Sequence, residues 1–212
     1  MASVAEDLQT QERRTILLQL TPEQLAHQID AATGTLTGAD ASQRHLSQLR
    51  GCFADQAAFE AALAEGDPLV YSVASVERDA GDGALRFGLG TLYPGRVGQE
   101  YYLTKGHYHS WREAAEVYIG LSGAGGLLLE TEDGQDGYVP LAAGGIVYVP
   151  GATAHRTVNT GTEPFVYLGV YPAEAGHDYG AIADNNFRQV VVAGPGGPVV
   201  LPRAQHLAGL AN

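Results

Sequence analysis

At 212 residues, 45% of them apolar, the chain is long enough for one large domain or two small ones and too rich in core-forming residues for bulk disorder. Its 12 Lys and Arg against 24 Asp and Glu leave a net charge of −12, which would repel nucleic acid and anionic membranes, so neither is expected as a partner. Cys52 is the single cysteine, which excludes a disulfide framework within one chain and suits a reducing compartment.

The first residues, MASVAEDLQTQERR, lack the basic-then-apolar order of a secretory leader, and no apolar run approaches membrane-spanning length. The expected location is the cytoplasm. Residues 1–30 read as a polar arm with one apolar turn, TILLQL, and Thr21-Pro22-Glu23 has the cap and first-turn proline of a helix start. TGTLTGAD reads as loop or short edge strand. SQRHLSQLRGCF and DQAAFEAALAEGDP carry apolar residues at helical spacing, and Gly51 and Gly66 fall where helices stop.

From Leu69 the character changes. LVYSVASV, ALRFGLGTLY, EYYLTKGHYH, EVYIGLSG, GGLLLETE, GYVPLAA, GIVYVP, HRTVNTG and FVYLGVYP follow in quick succession, rich in Val, Ile, Leu and Tyr and broken by Gly, Pro, Asp and Asn. Many short strands at this spacing indicate an all-β antiparallel barrel or double-sheet jelly roll, with a few short helices at its N-terminal periphery. The expected organisation is an arm over 1–30, one domain over 31–198 and a tail over 199–212.

Two stretches carry candidate chemistry. In GHYHSWREAAEVYIGLSG, His107 and His109 lie two apart on an extended segment and so point the same way, and Glu116 follows on a strand with Tyr118 and Gly120 on its face. In GGIVYVPGATAHRTVN, a Gly-Gly turn leads into an apolar strand, Pro150-Gly151 turns the chain, and His155 heads the next strand. In a jelly roll the second hairpin can lie opposite the first. Three imidazoles and a carboxylate then form a mixed nitrogen and oxygen site suited to Fe(II), Mn(II), Zn(II) or Ni(II). His27, His45 and His206 fall in helical or tail segments and read as solvated. Arg112 and Arg156 read as surface residues or as partners for an anion, and Trp111 as a cap on the barrel or its mouth.

Together the two stretches resemble the cupin superfamily, whose first motif runs His-X-His, Glu, Gly and whose second runs Gly, Pro, His, Asn. The matching positions are His107, His109, Glu116 and Gly123, then Gly144, Pro150, His155 and Asn159. Two departures stand out. Six residues separate His109 from Glu116 where cupins generally have three or four, and Ala152 occupies the place of the glycine usual two after the proline. The long gap, together with TLYPGRVGQEYYLTKGHYH, AEVYIGLSGAGGLLLE and above all YPAEAGHDYG, resembles the cupin-type glucose-6-phosphate isomerases of archaea and some bacteria. That resemblance covers about residues 30–195.

It implies a single cupin jelly roll and an aldose–ketose isomerase that interconverts glucose 6-phosphate and fructose 6-phosphate, a step of glycolysis and gluconeogenesis. It implies one divalent metal per chain, Fe(II) by expectation, on His107, His109, Glu116 and His155. It further implies that Tyr71, Thr104, Gly106, Tyr118, Tyr171, His177 and Tyr179 meet the sugar phosphate, that Glu116 and His177 are the catalytic residues, with the hydrogen moving as a proton through a cis-enediol or directly as a hydride, and that the chain forms a homodimer. Gly90 stands where a threonine of that family is expected, with Thr91 beside it. Activity on mannose 6-phosphate as well, or a cupin dioxygenase using the same ligands, are the alternative readings.

Overall fold

The structure, a computed structural model, describes residue 21 and residues 25–76, 83–183 and 186–211. TILLQL and most of the Thr21-Pro22-Glu23 start lie outside them. The body is a six-stranded antiparallel sheet. It is built from β3 (Ala41–His45), β4 (Leu69–Val76), β5 (Leu85–Leu92), β8 (Glu116–Ser122), β11 (Ile146–Val149) and β13 (Phe165–Pro172), in the order β11-β8-β13-β5-β4-β3. A three-stranded sheet faces it: β9 (Ala124–Thr131), β10 (Asp136–Ala142) and β12 (Thr153–Asn159), in the order β10-β9-β12. Backbone bridges Leu103–Val158 and His107–His155 extend this smaller sheet by the segment 103–107. Tyr118, Phe165 and Tyr167 of the large sheet pack on Leu127 and Leu141 of the small one, closing the jelly roll around one interior.

The remaining strands flank this body. β1 (Ile29–Asp30) and β2 (Thr35–Leu36) form a small hairpin, and Leu36 covers Ala74, Val76, Leu89 and Val166 on the outer side of the large sheet. That cover explains why β4 reads as nearly continuous apolar sequence: both of its faces are buried. Strand β11 is its opposite. Ile146 and Tyr148 are exposed while Val147 and Val149 are buried, the alternation of a one-sided strand. β6 (Arg96–Val97), β7 (Glu100–Tyr101), β14 (Gln189–Gly194) and β15 (Gly197–Pro202) form a four-stranded sheet at the side.

SQRHLSQLRGCF is not the helix its spacing suggested. Residues 41–45 are strand β3, paired with β4, and only Leu46–Leu49 coil, as one 3-10 turn. The apolar spacing came from Leu46 and Leu49, which a 3-10 turn also brings to one side, and both are fully buried. The next expected helix is present as α1 (Gln56–Glu65). It starts at Asp55, whose Oδ1 accepts the Ala58 N–H at 2.9 Å, and stops at Gly66. Ahead of it, buried Glu100 accepts N–H bonds from Ala54 and Asp55 at 2.8–2.9 Å.

The segment expected as a tail, 199–212, contains the end of β15 and a helix over Arg203–Leu210, with a shorter helix at Gly180–Ala183 before it. His206, expected to be solvated, is buried 3.6 Å from Glu100. Nothing near His206 in the sequence announces this carboxylate, because it arrives from residue 100. Arg156 is buried too. It lies on the outer side of β12, with Asn186 Oδ1 at 2.9 Å, the Lys105 carbonyl at 2.6 Å, and its guanidinium over the Phe187 ring.

The two departures from the cupin pattern meet at the β11–β12 turn. A Cβ on Gly151 would come within 2.6 Å of the Glu113 carbonyl, so this glycine makes room for the long insert after His109. Ala152 donates its N–H to the Arg112 carbonyl and sits at φ +56°, a left-handed conformation that favours glycine. Ala152→Gly should relieve that strain and stabilise the protein by about 0.5–1 kcal/mol, net of the extra freedom given to the unfolded chain. A rise of roughly 1–4 °C in the thermal midpoint would record it. A lower midpoint would mean that the alanine methyl group contributes packing that outweighs the strain.

Candidate active site

Partners across an antiparallel pair share a face, so the registers define what looks into the barrel. Arg44 pairs with Tyr71, Val73 with Gly90, Ser75 with Gly88, and Arg86 with Tyr171. Gly88 and Tyr118 both pair with Gly169, and Gly90 pairs with Tyr167. The floor of the interior is therefore a patch of strand glycines, and each makes space for something specific. A Cβ on Gly169 would fall 2.5 Å from Glu116 Oε1, and one on Gly90 would fall 2.3 Å from the Tyr167 ring.

Above this floor stand the four expected metal ligands. His107 arrives from the bridged segment, His155 from β12 directly across from it, and Glu116 opens β8. One donor atom from each of His107, His109, Glu116 and His155 lies within 4.8 Å of the others. Glu116 Oε2 is 3.0 Å from His155 Nε2 and 3.3 Å from His109 Nε2. Close as they are, neither contact has hydrogen-bond geometry: the Nε2 atoms of all three histidines are buried and make no hydrogen bond. Their other nitrogens explain the orientation. His109 Nδ1 faces the Ala114 carbonyl at 2.9 Å and His155 Nδ1 the Thr153 carbonyl at 3.1 Å, which puts the proton on Nδ1 and a lone pair on Nε2. Buried lone pairs converging beside a carboxylate, with no donor between them, fit a divalent cation.

The charge states of Glu116 and His107 agree with that reading, while His109 shifts the other way. Burial pushes the Glu116 carboxyl up, but His109 and His155 outweigh it and hold it at about 2, so it is ionised. Burial, and then the neighbouring His155, drive His107 well below its usual range, so it is a neutral ligand. At His109 burial works downward, and contact with Glu116 and the Ala114 carbonyl reverses it to a net upward shift. Tyr118, raised far above its ordinary value by burial and then by the Glu116 charge, keeps its proton.

A cavity of about 280 Å³ opens from the cluster, with His107 and Glu116 in its wall. All seven expected substrate residues line it. Tyr71, Tyr118 and Tyr171 come from the sheet, Thr104 and Gly106 from the segment before His107, and His177 and Tyr179 from the turn after β13. At the mouth the rings form a stack. His107 lies 4.5 Å from His177, which stacks on Tyr179 at 5.9 Å and 9°, and Lys105 Nζ sits 4.8 Å over the Tyr179 ring. Partial burial lowers the pKa of His177, and burial pushes Tyr71 up to about 12.

Thr104 is held as a donor. Its Oγ1 accepts from the Thr157 N–H at 3.0 Å and from Thr157 Oγ1 at 3.1 Å, which occupies both lone pairs and leaves its own proton for a ligand. Tyr167 completes the chain, 2.9 Å from Thr157 Oγ1. Gly90 lines the cavity, whereas Thr91 faces the other way, its Oγ1 pressed toward Gly34. Neither the methyl nor the hydroxyl of Thr91 reaches the interior.

The sequence reading missed Arg44, Arg86 and Tyr167, all of which line the cavity. Tyr167 was within reach, since it precedes Tyr171 by four residues on one strand and so shares its face. Arg44 was hidden inside the stretch read as helix. Arg112 does not line the cavity; it pairs with Glu132 and Asp178 at 3.0 and 2.7 Å. Trp111 is half exposed on the insert.

A family model for glucose-6-phosphate isomerase matches residues 43–206. The chain belongs to that family. A glucose-6-phosphate isomerase of Pyrococcus abyssi is 47% identical over 170 residues, covering 80% of this chain and 90% of the relative. One from Thermococcus litoralis is 48% identical over 172 residues, 81% of this chain and 90% of the relative, and one from Sinorhizobium medicae 40% identical over 163 residues, 76% of each. Among solved structures, an oxalate decarboxylase of Bacillus subtilis matches 51% of this chain at 22% identity with a TM-score of 0.42, the match covering only 27% of that chain.

For this member of the glucose-6-phosphate isomerase family, two single changes separate ligand from support. His155→Ala removes a donor and should abolish stoichiometric metal. Gly169→Ala keeps every donor but drives a methyl group into Glu116 Oε1, and should weaken metal about tenfold or more, the effect of roughly 1.4 kcal/mol. Metal analysis after dialysis against a chelator series measures both. Unchanged retention in both variants would sink the site.

Proposed function

We propose that the chain is a metal-dependent aldose–ketose isomerase that interconverts glucose 6-phosphate and fructose 6-phosphate. The observation that carries this reading is the join between a buried three-imidazole, one-carboxylate cluster and a cavity lined by hydroxyls, in a member of the glucose-6-phosphate isomerase family. An apolar lining would suit an oxygenase ring substrate; tyrosine and threonine hydroxyls with lysine and arginine suit a hydroxylated anion. We place the catalytic domain over residues 31–198.

His107, His109, Glu116 and His155 hold the metal, for which we propose Fe(II). A divalent cation there supplies Lewis acidity toward the oxygens on C1 and C2 of the open-chain sugar. Glu116 divides its work between two oxygens. Oε2 lies against the imidazoles, whereas Oε1 lies over Gly169 on the cavity floor, where it can carry the hydrogen between C1 and C2 as a proton. His177, at the mouth, takes the proton from the O1 hydroxyl and returns one to O5 as the ring opens and closes. Tyr118, Tyr171 and Tyr179 bind and orient the hydroxylated chain, while Tyr71, Thr104 and the backbone at Gly106 meet the phosphate.

Anaerobic conversion of fructose 6-phosphate to glucose 6-phosphate should appear with Fe(II), vanish with chelator and return on re-addition. Run in deuterated water, the product should carry deuterium at C2. Conversion without exchange would remove the proton role from Glu116, and no conversion with any of Fe(II), Mn(II), Zn(II) or Ni(II) would overturn the reading. Mannose 6-phosphate, which gives the same ketose, belongs in the same assay as a measure of tolerance.

We further infer a cytoplasmic homodimer. Supporting it are two outer strands of the large sheet, β3 and β11, each without a second neighbour among the described residues, and the exposed Ile146 and Tyr148 on β11. No described helix is long and apolar enough to cross a membrane. Sedimentation at micromolar concentration should give twice the chain mass of 22.3 kDa; a single-chain mass would contradict the pairing.

A further inference from the structure

Cations are scarce in this chain, yet three of them, Arg44, Arg86 and the only lysine, Lys105, line the cavity, where Glu116 is the one carboxylate among the described residues. None of the three forms an ion pair with a described acidic residue, although the chain holds 24 of those. Arg86 lies beside Tyr171, in reach of His177, at the metal end. Arg44 stands at the other end. It is directly across from Tyr71 on β3, the outermost strand of the large sheet, four strands away from Glu116 in the sheet order. Among the described residues its guanidinium makes one hydrogen bond, donated by Nη1 to the neighbouring Gln43 carbonyl. The rest of its planar fork is available to the cavity.

We propose that Arg44, with Lys105, supplies the charged half of the phosphate subsite and so determines the preference for a phosphorylated sugar. The proposal rests on the isomerase reading for the identity of the ligand. Several observations put Arg44 in the same corner as the neutral donors. Tyr71 is its cross-strand partner, and the Lys105 backbone lies at the Tyr71 hydroxyl. Tyr179, whose hydroxyl burial pushes up, is pulled back by the Arg44 charge, so that charge also reaches the residue under Lys105 Nζ. Thr104, held as a donor, immediately precedes Lys105.

The chemistry requires such a group. Phosphate carries nearly two negative charges near neutral pH, and the chain carries −12. Hydroxyl donors orient an anion, but a guanidinium fork matches phosphate oxygens two at a time and stays charged at every working pH. A cation at the end of the cavity remote from the metal also fixes direction. The dianion is drawn to Arg44 and the neutral C1–C2 end is left for the metal.

The test uses full-length, metal-loaded protein and the variants Arg44→Gln and Arg44→Lys. Calorimetric titration reads binding of inorganic phosphate, of a phosphorylated five-carbon aldonate, and of the same aldonate without phosphate; steady-state assays read KM and kcat for fructose 6-phosphate. Arg44→Gln should weaken both phosphate-bearing ligands about ten- to a hundredfold, leave the unphosphorylated aldonate within about twofold, and place its loss in KM rather than kcat. Arg44→Lys should recover part of the binding, as a point charge without the fork. Unchanged phosphate binding in Arg44→Gln overturns the proposal. So does equal weakening of the phosphorylated and unphosphorylated aldonates, which marks a distorted strand. A parent protein that binds the phosphorylated aldonate but isomerises nothing refutes the isomerase reading alone, and the titrations still judge Arg44.

Discussion

Much of this fold is arranged around three imidazole nitrogens that make no hydrogen bond among the described residues, and around the carboxylate they face. Three buried imidazole nitrogens and a buried carboxylate occupy a space less than 5 Å across, and each would be costly there without a cation. Removing them from water is made tolerable by fixed orientation and by the attraction between the Glu116 carboxylate and the imidazoles. Carbonyls of Ala114 and Thr153 lock two tautomers, and the His107–His155 bridge sets two ligands opposite each other through the backbone. Gly169 leaves room for Glu116 on the sheet behind it. The four candidate donors are thus held in place by hydrogen bonds that their own backbone and neighbours provide.

The same economy of space shapes the cavity. Strand glycines are unfavourable for sheet formation, yet Gly88, Gly90 and Gly169 cluster on adjacent strands. Their effect is to lower the floor beneath the tyrosines. At Gly90 the space is taken by the Tyr167 ring, whose hydroxyl joins Thr157 and, through it, Thr104. A residue absent from the strand is in this way replaced by a hydroxyl chain that ends at the same wall. The acidic surface is no obstacle to an anion inside. Charges more than about 8 Å away through solvent are largely screened, whereas cations and donors in the cavity act at contact.

The strands were legible in the sequence because each follows a local period, and two-residue alternation set His107 with His109 and Glu116 with Tyr118 as candidates on shared faces. Tyr171, His177 and Tyr179 were legible only through the family resemblance, since the turn that carries two of them has no period. Legibility failed where a residue's environment is made by chain far away. His206 is buried by Glu100, and Arg156 by Cys52, Lys105 and Asn186, contacts that span about thirty to a hundred residues. No window of sequence contains both members. Arg44 failed for a different reason. The leucines at 46 and 49 mimic a helix, and only the pairing of β3 with β4 reveals that the three residues before His45 alternate toward the cavity.

The long spacer between His109 and Glu116 shows what a departure from a motif can mean physically. It is not slack. Ala152 donates to the Arg112 carbonyl, Gly151 accommodates the Glu113 carbonyl, and the Arg112 guanidinium reaches Asp178 and Glu132. The Trp111 N–H bonds the Ala175 carbonyl at 2.9 Å, and Tyr108 exchanges backbone bonds with Asp178, the residue between His177 and Tyr179. The spacer is therefore braced on one side by the turn that leads to His155 and on the other by the segment that carries the mouth of the cavity. A shorter spacer would still place His109 and Glu116 at a metal. It would remove the Trp111 and Arg112 contacts to Ala175 and Asp178, leaving the turn that carries His177 and Tyr179 held by the Tyr108–Asp178 backbone pair and its own packing. Holding the candidate metal ligands and the mouth residues in one hydrogen-bonded frame would let the site orient a six-carbon chain at both ends at once, because an error of about 1 Å at either end is enough to lose the alignment on which a transfer between adjacent carbons depends.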